Sequence, residues 1–321
     1  MKSGHVMASE RVEKTAGPAV NRRGSGWTPW RDLPRPERWR VAGCVGYLLL
    51  LTLAFIQPLT RLTLYAAQSD LNSLILLVPF VAGYLLYTQR VRNPVACRSS
   101  IAGTVTAGGI GFAALVAGIV WRPRLSINDD LSLAALAFVS FAAAGGFLFL
   151  GARWMAARVF PVAFLIFMVP LPDAAVNWLE NASMLASAEA AALFFNLAGT
   201  PMVHQGTVFE LPGIVLQVAR ECSGIHSSWV LFITGLLASH LFLRTLWRRI
   251  VLVAFVIPLG ILRNGFRVFV IGQLCVHIGP YMIGSRIHRQ GGPLFFALSL
   301  VPLFLLLLWL RRRERRLNLP C

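Results

Sequence analysis

Residues 248–268 read RRIVLVAFVIPLGILRNGFRV. An arginine pair precedes thirteen uncharged residues, after which Arg263, Asn264 and Arg267 interrupt the apolar run. A spanning helix needs about 20 mostly apolar residues, so this stretch predicts a membrane-spanning helix. At 1.5 Å per residue, Arg267 lies roughly 27 Å beyond Arg249, near the outer limit of the hydrocarbon core. Charged groups inside a span usually face a cavity or the bundle interior and mark function, although Arg267 could also extend to the lipid headgroups.

The composition of the whole chain agrees with this stretch. Of its 321 residues, 56% are hydrophobic and 13% are charged, and the formal net charge is +17. A soluble domain carries roughly 25% charged residues, so a disordered protein, a disulfide scaffold and an ordinary cytosolic enzyme are excluded. The excess of basic residues first suggests a nucleic-acid partner, but a soluble fold of this chain would expose large apolar surfaces. We therefore expect a polytopic membrane protein that binds lipid and no nucleic acid.

Eight apolar stretches are candidates for membrane spans, which predicts an all-α polytopic membrane protein with about eight transmembrane helices. They lie at 41–60, 72–88, 101–121, 131–151, 156–172, 224–243, 250–274 and 293–310. With the amino terminus inside, 22 of the 30 lysines and arginines fall in cytoplasmic segments and six in outer loops. The positive-inside rule then places both termini in the cytoplasm. The cysteines form no CxxC pair, so we expect no metal site and no disulfide framework.

Three parts follow from this topology. The sequence predicts a disordered cytoplasmic tail at 1–40, a transmembrane domain at 41–310 and a basic cytoplasmic tail at 311–321. The long outer segment is 173–223, and it opens with an apolar helix that carries a polar stripe. Two β-prone runs around Leu211-Pro212-Gly213 then predict a short outer β-hairpin, with an irregular loop as the alternative.

Cys222 follows this predicted hairpin, at the start of the next span. It stands in the sequence Glu221-Cys222-Ser223-Gly224, in which Ser223 is the expected helix N-cap. The amino terminus of a helix favours the thiolate, which is the nucleophilic form of cysteine. The alternative is a structural cysteine that behaves as a small hydrophobic residue.

The last outer loop adds His288 and Arg289, which we expect at the same membrane level as Cys222 and Arg267. Cysteine and histidine together form the simplest activated thiol, and a nearby arginine can stabilise a thiolate or an oxyanion. His226 is a competing candidate for the base because it lies four residues after Cys222 on the same predicted helix. The cation from the seventh span in this arrangement is Arg267.

Four motifs, in this order along the chain, resemble the exosortase/archaeosortase membrane transpeptidases. Residues 160–172 resemble the proline-rich fifth-span motif of that family, and residues 221–225 resemble its active-site cysteine motif. Residues 264–268, after Pro258, resemble its Asn-x-x-Arg motif, and 288–296 resemble its histidine motif. The similarity covers about 40–310, so the transmembrane domain is expected to be exosortase-like.

The resemblance implies a membrane cysteine peptidase or transpeptidase. Cys222 would be the nucleophile and Arg267 and His288 its catalytic partners, with Asn264, Arg263, Arg289, Glu221 and His226 in supporting positions. Many relatives carry arginine where this chain has His226, which leaves the choice between His288 and His226 as the base open. No cofactor and no metal are implied.

The expected substrates are exported proteins with a C-terminal sorting tail of the PEP-CTERM type. Such a tail consists of a short Pro-Glu-Pro-like motif, a hydrophobic helix and a basic cluster. Cleavage would occur at the outer face of a bacterial cytoplasmic (inner) membrane, and an unknown surface acceptor would receive the new carboxyl end.

Two other classes of protein remain open from the residues alone. A transporter or channel would suit several spans and an intramembrane arginine pair, but the predicted spans contain almost no acids that could form an ion path. A membrane scaffold without chemistry would tolerate replacement of Cys222, Arg267 or His288.

Overall fold

A computed structural model gives the fold and describes residues 35–68, 72–90, 98–218, 224–279, 281–282 and 292–317. Within these ranges, five helices are long and apolar enough to cross a membrane, or up to seven if two bent helix pairs each count as one span. The predicted count of eight is therefore not confirmed. The chain is a helical, multi-pass membrane protein.

The first bent pair consists of α1 (Arg35–Ala54) and α2 (Ile56–Gln68), whose axes differ by 72°. The sequence predicted a single stretch at 41–60. Pro58 lacks the N–H that would bond the carbonyl of Ala54, and its ring clashes with that carbonyl. The helix therefore breaks at Phe55, between the two segments.

Three further helices, α3 to α5, follow along the chain. A short 3₁₀ turn at Ser73–Leu76 leads into α3 (Val78–Arg90). Helices α4 (Ile101–Trp121) and α5 (Ile127–Phe149) are joined by a 3₁₀ turn at Arg122–Arg124. The side chain of Ser126 caps α5 by accepting a hydrogen bond from the Asp129 N–H at 3.0 Å.

The stretch at 156–172 is not one continuous helix. After α6 (Ala152–Ala157), helix α7 (Val159–Phe164) and a 3₁₀ turn (Leu165–Met168) provide only ten helical residues, about 15 Å. The chain then bends by 93° into α8 (Asp173–Leu197). Proline breaks the helix here, so a span predicted over 156–172 is wrong as a single helix.

Side chains of α5 hold this bend in place. Asn128 donates from Nδ2 to the Leu171 carbonyl at 2.7 Å and to Asp173 Oδ1 at 2.9 Å. Ser132 donates from Oγ to the Pro170 carbonyl at 2.9 Å. The carbonyls of Pro170 and Leu171, which lie at the bend between two helical segments, thus find donors on α5, which satisfies them inside the protein.

Three short antiparallel strands follow α8, in the order β1-β2-β3. They are β1 (Val203–Gln205), β2 (Val208–Leu211) and β3 (Ile214–Gln217). They occupy the region for which the sequence predicted a hairpin, and a turn at 206–207 divides the first β-prone run, at 203–210, into β1 and most of β2. One face of this sheet packs in an apolar cluster with α8 and α10. The cluster contains Ala188, Ala191, Ala192, Phe195, Phe209, Leu211, Val218 and Val268.

The last three helices are α9 (Ile225–Phe242), α10 (Leu246–His277) and α11 (Gly292–Leu317). Leucines and valines of all three pack in a common core, with Leu231, Leu252 and Leu303 almost completely buried. Helix α11 continues past residue 310, so the predicted basic tail at 311–321 begins as helix. Of the predicted disordered tail at 1–40, residues 1–34 lie outside the described residues, and 35–40 belong to α1.

Candidate functional site

Helix α10 lies between α8 and α9, and small residues allow the close approach. A Cβ atom built on Gly265 would lie 2.6 Å from the Ala190 Cβ of α8. One built on Gly260 would lie 2.9 Å from the Ser228 Oγ of α9. Small residues at such interfaces bring helix backbones together inside a membrane. The polar residues of α10 between these glycines are therefore enclosed by two neighbouring helices.

Gly224 begins helix α9 in direct contact with this polar segment. It occupies the N-cap position in a left-handed conformation, with φ +67°. A Cβ atom at this position would lie 2.7 Å from Asn264 Oδ1, so the backbone packs against the α10 amide. The prediction that Ser223 is the N-cap is wrong, because the chain needs a residue that tolerates positive φ where it turns into the helix.

Arg263 fixes the start of α9. Its side chain is buried, with 7% of its surface exposed, and Nη2 donates to the Gly224 carbonyl and to Ser228 Oγ, both at 3.1 Å. Within the described ranges, Nη1 has no hydrogen-bond partner and no carboxylate pairs with the guanidinium. The first turn of α9 is thus held against the positive charge of Arg263, and the described groups that accept its hydrogen bonds are neutral.

Arg267 lies one turn further along α10 and is partly buried. The next residue, Val268, belongs to the apolar cluster beneath the β-sheet. The backbone of Arg267 therefore lies between the part of α10 that contacts the start of α9 and the part that packs beneath the sheet. Arg263 and Arg267 are four residues apart in a continuous helix, as the sequence predicted.

The structure brings together part of the predicted site. Asn264 is 2% exposed and lies beside Gly224, whereas His226 is exposed in the first turn of α9. The remaining predicted site residues lie outside the described residues; they are Glu221, Cys222, His288 and Arg289. Their convergence with Arg267 stays a prediction.

Sequence reasoning missed Ser228 and the role of Gly224. Ser228 accepts from Arg263, 35 residues later in the chain, and no local pattern reveals such a pairing. A weak signal was present, because Gly224 and Ser228 are four residues apart and therefore share one helix face. Gly260 and Asn264 show the same spacing on α10, and the two small-residue faces meet.

Two other histidines, His240 and His204, stack on aromatic rings. The His240 ring stacks on Phe160 with ring centroids 3.7 Å apart, near the opposite end of α9. His204 lies in β1 and stacks on Phe209 at 4.6 Å. In the described parts of the chain, no three His, Cys, Asp or Glu side chains are grouped so that they could hold a metal ion.

The fold and its enclosed polar segment define a multi-pass membrane protein with a buried arginine and asparagine at the start of one helix. A family model described as transmembrane exosortase matches residues 66–305, and the chain therefore belongs to that family. The match covers α3 to α10 and most of α11. No curated protein and no solved structure matches the chain.

Proposed function

We propose that the protein is a membrane cysteine peptidase or transpeptidase that cleaves C-terminal sorting signals of exported proteins. Cys222 is the nucleophile, Arg267 the cation that stabilises developing negative charge, and His288 the base, with His226 as the alternative. The site faces outward from a bacterial inner membrane. Membership of the exosortase family supports this class of activity over a transporter or a scaffold.

The observation that carries the proposal is the anchoring of Gly224. Cys222 precedes it by two residues, and successive Cα atoms are 3.8 Å apart, so the two Cα atoms are separated by at most about 8 Å. Arg263 holds the Gly224 carbonyl at 3.1 Å, and Arg267 is one turn away on the same helix. The covalent chain thus ties the proposed nucleophile to a segment that Arg263 anchors, and Arg267 lies one turn away on the same helix as Arg263.

The chemistry proceeds in two steps. The Cys222 thiolate attacks the peptide carbonyl, a C–S bond forms, and Arg267 stabilises the oxyanion of the tetrahedral intermediate. The C–N bond then breaks, and protonated His288 donates its proton to the leaving amine. In the second step, His288 removes a proton from an acceptor amine or water, which attacks the thioester and releases the thiolate.

The hydrophobic part of the sorting tail would lie in the bilayer beside the helices. Several helices expose large apolar side chains along their length, and α4 shows this most clearly. Its exposed side chains include Val105, Ile110, Phe112, Ile119 and Val120. An apolar helical tail can therefore remain in lipid next to the protein while the motif before it reaches the water boundary.

The test is co-expression of the full chain with a protein that ends in such a tail, followed by mass spectrometry of the new C-terminus. Cys222→Ala should abolish tail removal while the protein remains in the membrane. Cys275→Ala, which replaces a buried thiol of α10, is the matched control and should retain processing. Full processing by Cys222→Ala would overturn the covalent mechanism.

A further inference from the structure

A cavity of about 250 Å³ lies where α4 turns into α5, and it is open to the surface. Residues of α2, of α4 with the turn that follows it, and of α5 line the cavity, and both α2 and α4 pack on α5. Pockets for drug-sized ligands have volumes of about 300–1,000 Å³, so this cavity suits a smaller group. None of the residues assigned to the proposed reaction lines it, so it is separate from that site.

Three charged side chains from three different segments line this cavity. They are Arg61 of α2, Arg122 of the turn after α4, and Asp130 in the first turn of α5. Both arginines are exposed and Asp130 is partly buried. Among the described residues, no carboxylate lies within ion-pair distance of either guanidinium, and no cation lies within that distance of Asp130. The cavity therefore combines two cations and one anion that are not paired with one another.

The rest of the wall is apolar and follows α4 away from the charged end. At 1.5 Å per residue, the wall extends about 12 Å along the helix from Arg122 to Ala114. Trp121, at the end of α4, is 56% exposed, and tryptophan is enriched at membrane–water interfaces. The charged end of the cavity thus lies at the boundary between water and lipid, and the apolar wall continues into the hydrocarbon region. The α4 residues of this wall are Ala114, Leu115, Gly118 and Ile119.

We propose that this cavity binds the headgroup of a phosphatidylethanolamine molecule of the surrounding membrane. Arg61 and Arg122 donate to the phosphate, because guanidinium groups form strong charge-assisted hydrogen bonds with phosphate oxygens. Asp130 accepts from the ammonium group, which has three N–H donors. The first part of an acyl chain lies against the apolar wall of α4. The binding requires no catalytic step, so this inference is independent of the proposed function.

Asp130 is the residue that selects among phospholipids. The two arginines favour the phosphate of every phospholipid equally. Phosphatidylglycerol has no cation to place beside the carboxylate, so Asp130 would face only added negative charge. The trimethylated nitrogen of phosphatidylcholine has no N–H to donate. A free phosphate ion would use the arginines but neither Asp130 nor the apolar wall, so the complete cavity matches a zwitterionic lipid with a primary ammonium group.

The experiment measures lipid binding to the full-length protein in detergent by native mass spectrometry. Phosphatidylethanolamine, phosphatidylglycerol and phosphatidylcholine with identical acyl chains are titrated separately. Wild-type protein should bind phosphatidylethanolamine at least about threefold more tightly than either of the others, and Arg61→Ala and Arg122→Ala should each lower that affinity about three- to tenfold. Arg124→Ala is the matched control, because Arg124 belongs to the same turn as Arg122 but does not line the cavity, and it should bind like wild type.

Asp130→Asn tests the selection itself. This variant should still bind phospholipids but should lose the preference for phosphatidylethanolamine over phosphatidylglycerol, and its Tm without added lipid shows whether it is folded. Equal binding of the three lipids by wild-type protein would overturn the proposal without any variant. A preference that persists in folded Asp130→Asn, or an equal loss of affinity in Arg124→Ala and Arg122→Ala, would also overturn it. Displacement of the lipid by millimolar inorganic phosphate would assign the arginines to a free anion and reject the lipid.

Discussion

Each end of the α9–α10 pair contains a buried charged side chain, but only one of these two charges has an ionic partner among the described residues. At the end where the helices are joined, the Glu314 carboxylate accepts from the backbone N–H groups of Arg244 and Thr245 and from the Thr245 hydroxyl. Arg248 adds an ion pair at 3.5 Å. At the other end, Arg263 binds only a backbone carbonyl and a hydroxyl among the described residues. The 18 residues of α9 separate the two ends by about 27 Å.

The difference separates a charge that has an ionic partner from a charge that has no carboxylate partner among the described residues. Glu314 caps the start of α10 and has its charge balanced, so its contacts lock α11 to the connection between α9 and α10. Arg263 is about as buried, yet no described carboxylate balances it. Buried charges are usually paired, so the described residues leave a net positive charge at the Gly224 end.

The largest effect on tail removal should come from replacing Arg267, the second cation of α10 near the Gly224 end. Arg267→Ala should lower kcat for tail removal about 100- to 1000-fold, because the donor proposed for the oxyanion is lost. The amount of protein in the membrane should change little, since the side chain is partly exposed. Rates of tail removal by mass spectrometry, normalised to the protein present, measure this. A decrease below tenfold would place the oxyanion partner elsewhere.

Arg263→Ala should combine a loss of activity with a loss of stability. The substitution removes both hydrogen bonds that hold Gly224 and Ser228, and hydrogen bonds to a charged group contribute about 1.5–3 kcal/mol each. We expect Tm of purified protein to fall and processing to fall at least tenfold. Arg263→Lys should restore part of the stability, but a single ammonium cannot reproduce the planar fork. Equal activity in all three proteins would show that the anchoring of α9 does not serve the reaction.

Substitutions at Gly224, whose carbonyl binds Arg263, can distinguish the cost of a steric contact from the cost of an unfavourable backbone angle. Gly224→Ala faces both a positive φ and an Asn264 Oδ1 atom 2.7 Å from the new Cβ, so we expect about 2–3 kcal/mol of destabilisation. Gly213→Ala is the matched control, with φ +81° and nothing within 4 Å of the new Cβ, and should cost about 1–2 kcal/mol. Thermal unfolding of both variants gives the contact contribution by difference. Identical Tm values would show that Gly224 is required for its backbone angle alone.

The comparison also shows what the sequence could reveal. The sequence reveals polar residues that interrupt an apolar run, because the whole pattern lies in one stretch of chain. It therefore revealed Arg263, Asn264 and Arg267, and the helix that carries them is regular. The breaks at Phe55 and at 169–172 were not placed, because a proline in an apolar run is compatible with either a kink or an end. Their direction depends on neighbouring side chains such as Asn128.

Pairings across the bundle could not be predicted at all. Thr245 contacts Glu314 across 69 residues, and Arg263 contacts Gly224 across 39, so neither contact has a local pattern. The close contact of Gly224 with Asn264 was hidden for the same reason, since the two residues lie far apart in the chain. For Cys222 and His288, the sequence supplies residue types and order, and the distance between them stays a prediction.

The smallest effect belongs to the balanced end. Glu314→Gln keeps a carbonyl oxygen for the backbone donors but loses the charge that Arg248 and the start of α10 favour, so we expect about 1 kcal/mol of destabilisation. Tail removal per folded molecule should stay at the wild-type rate, because the residue lies about 27 Å from Gly224 along α9. Glu189→Gln, at an exposed acid of α8, controls for the change in net charge. If Glu314→Gln lowered the rate of tail removal as much as Arg263→Ala does, the Glu314 charge would be coupled to the reaction. The two ends of the helix pair would then not be functionally separate.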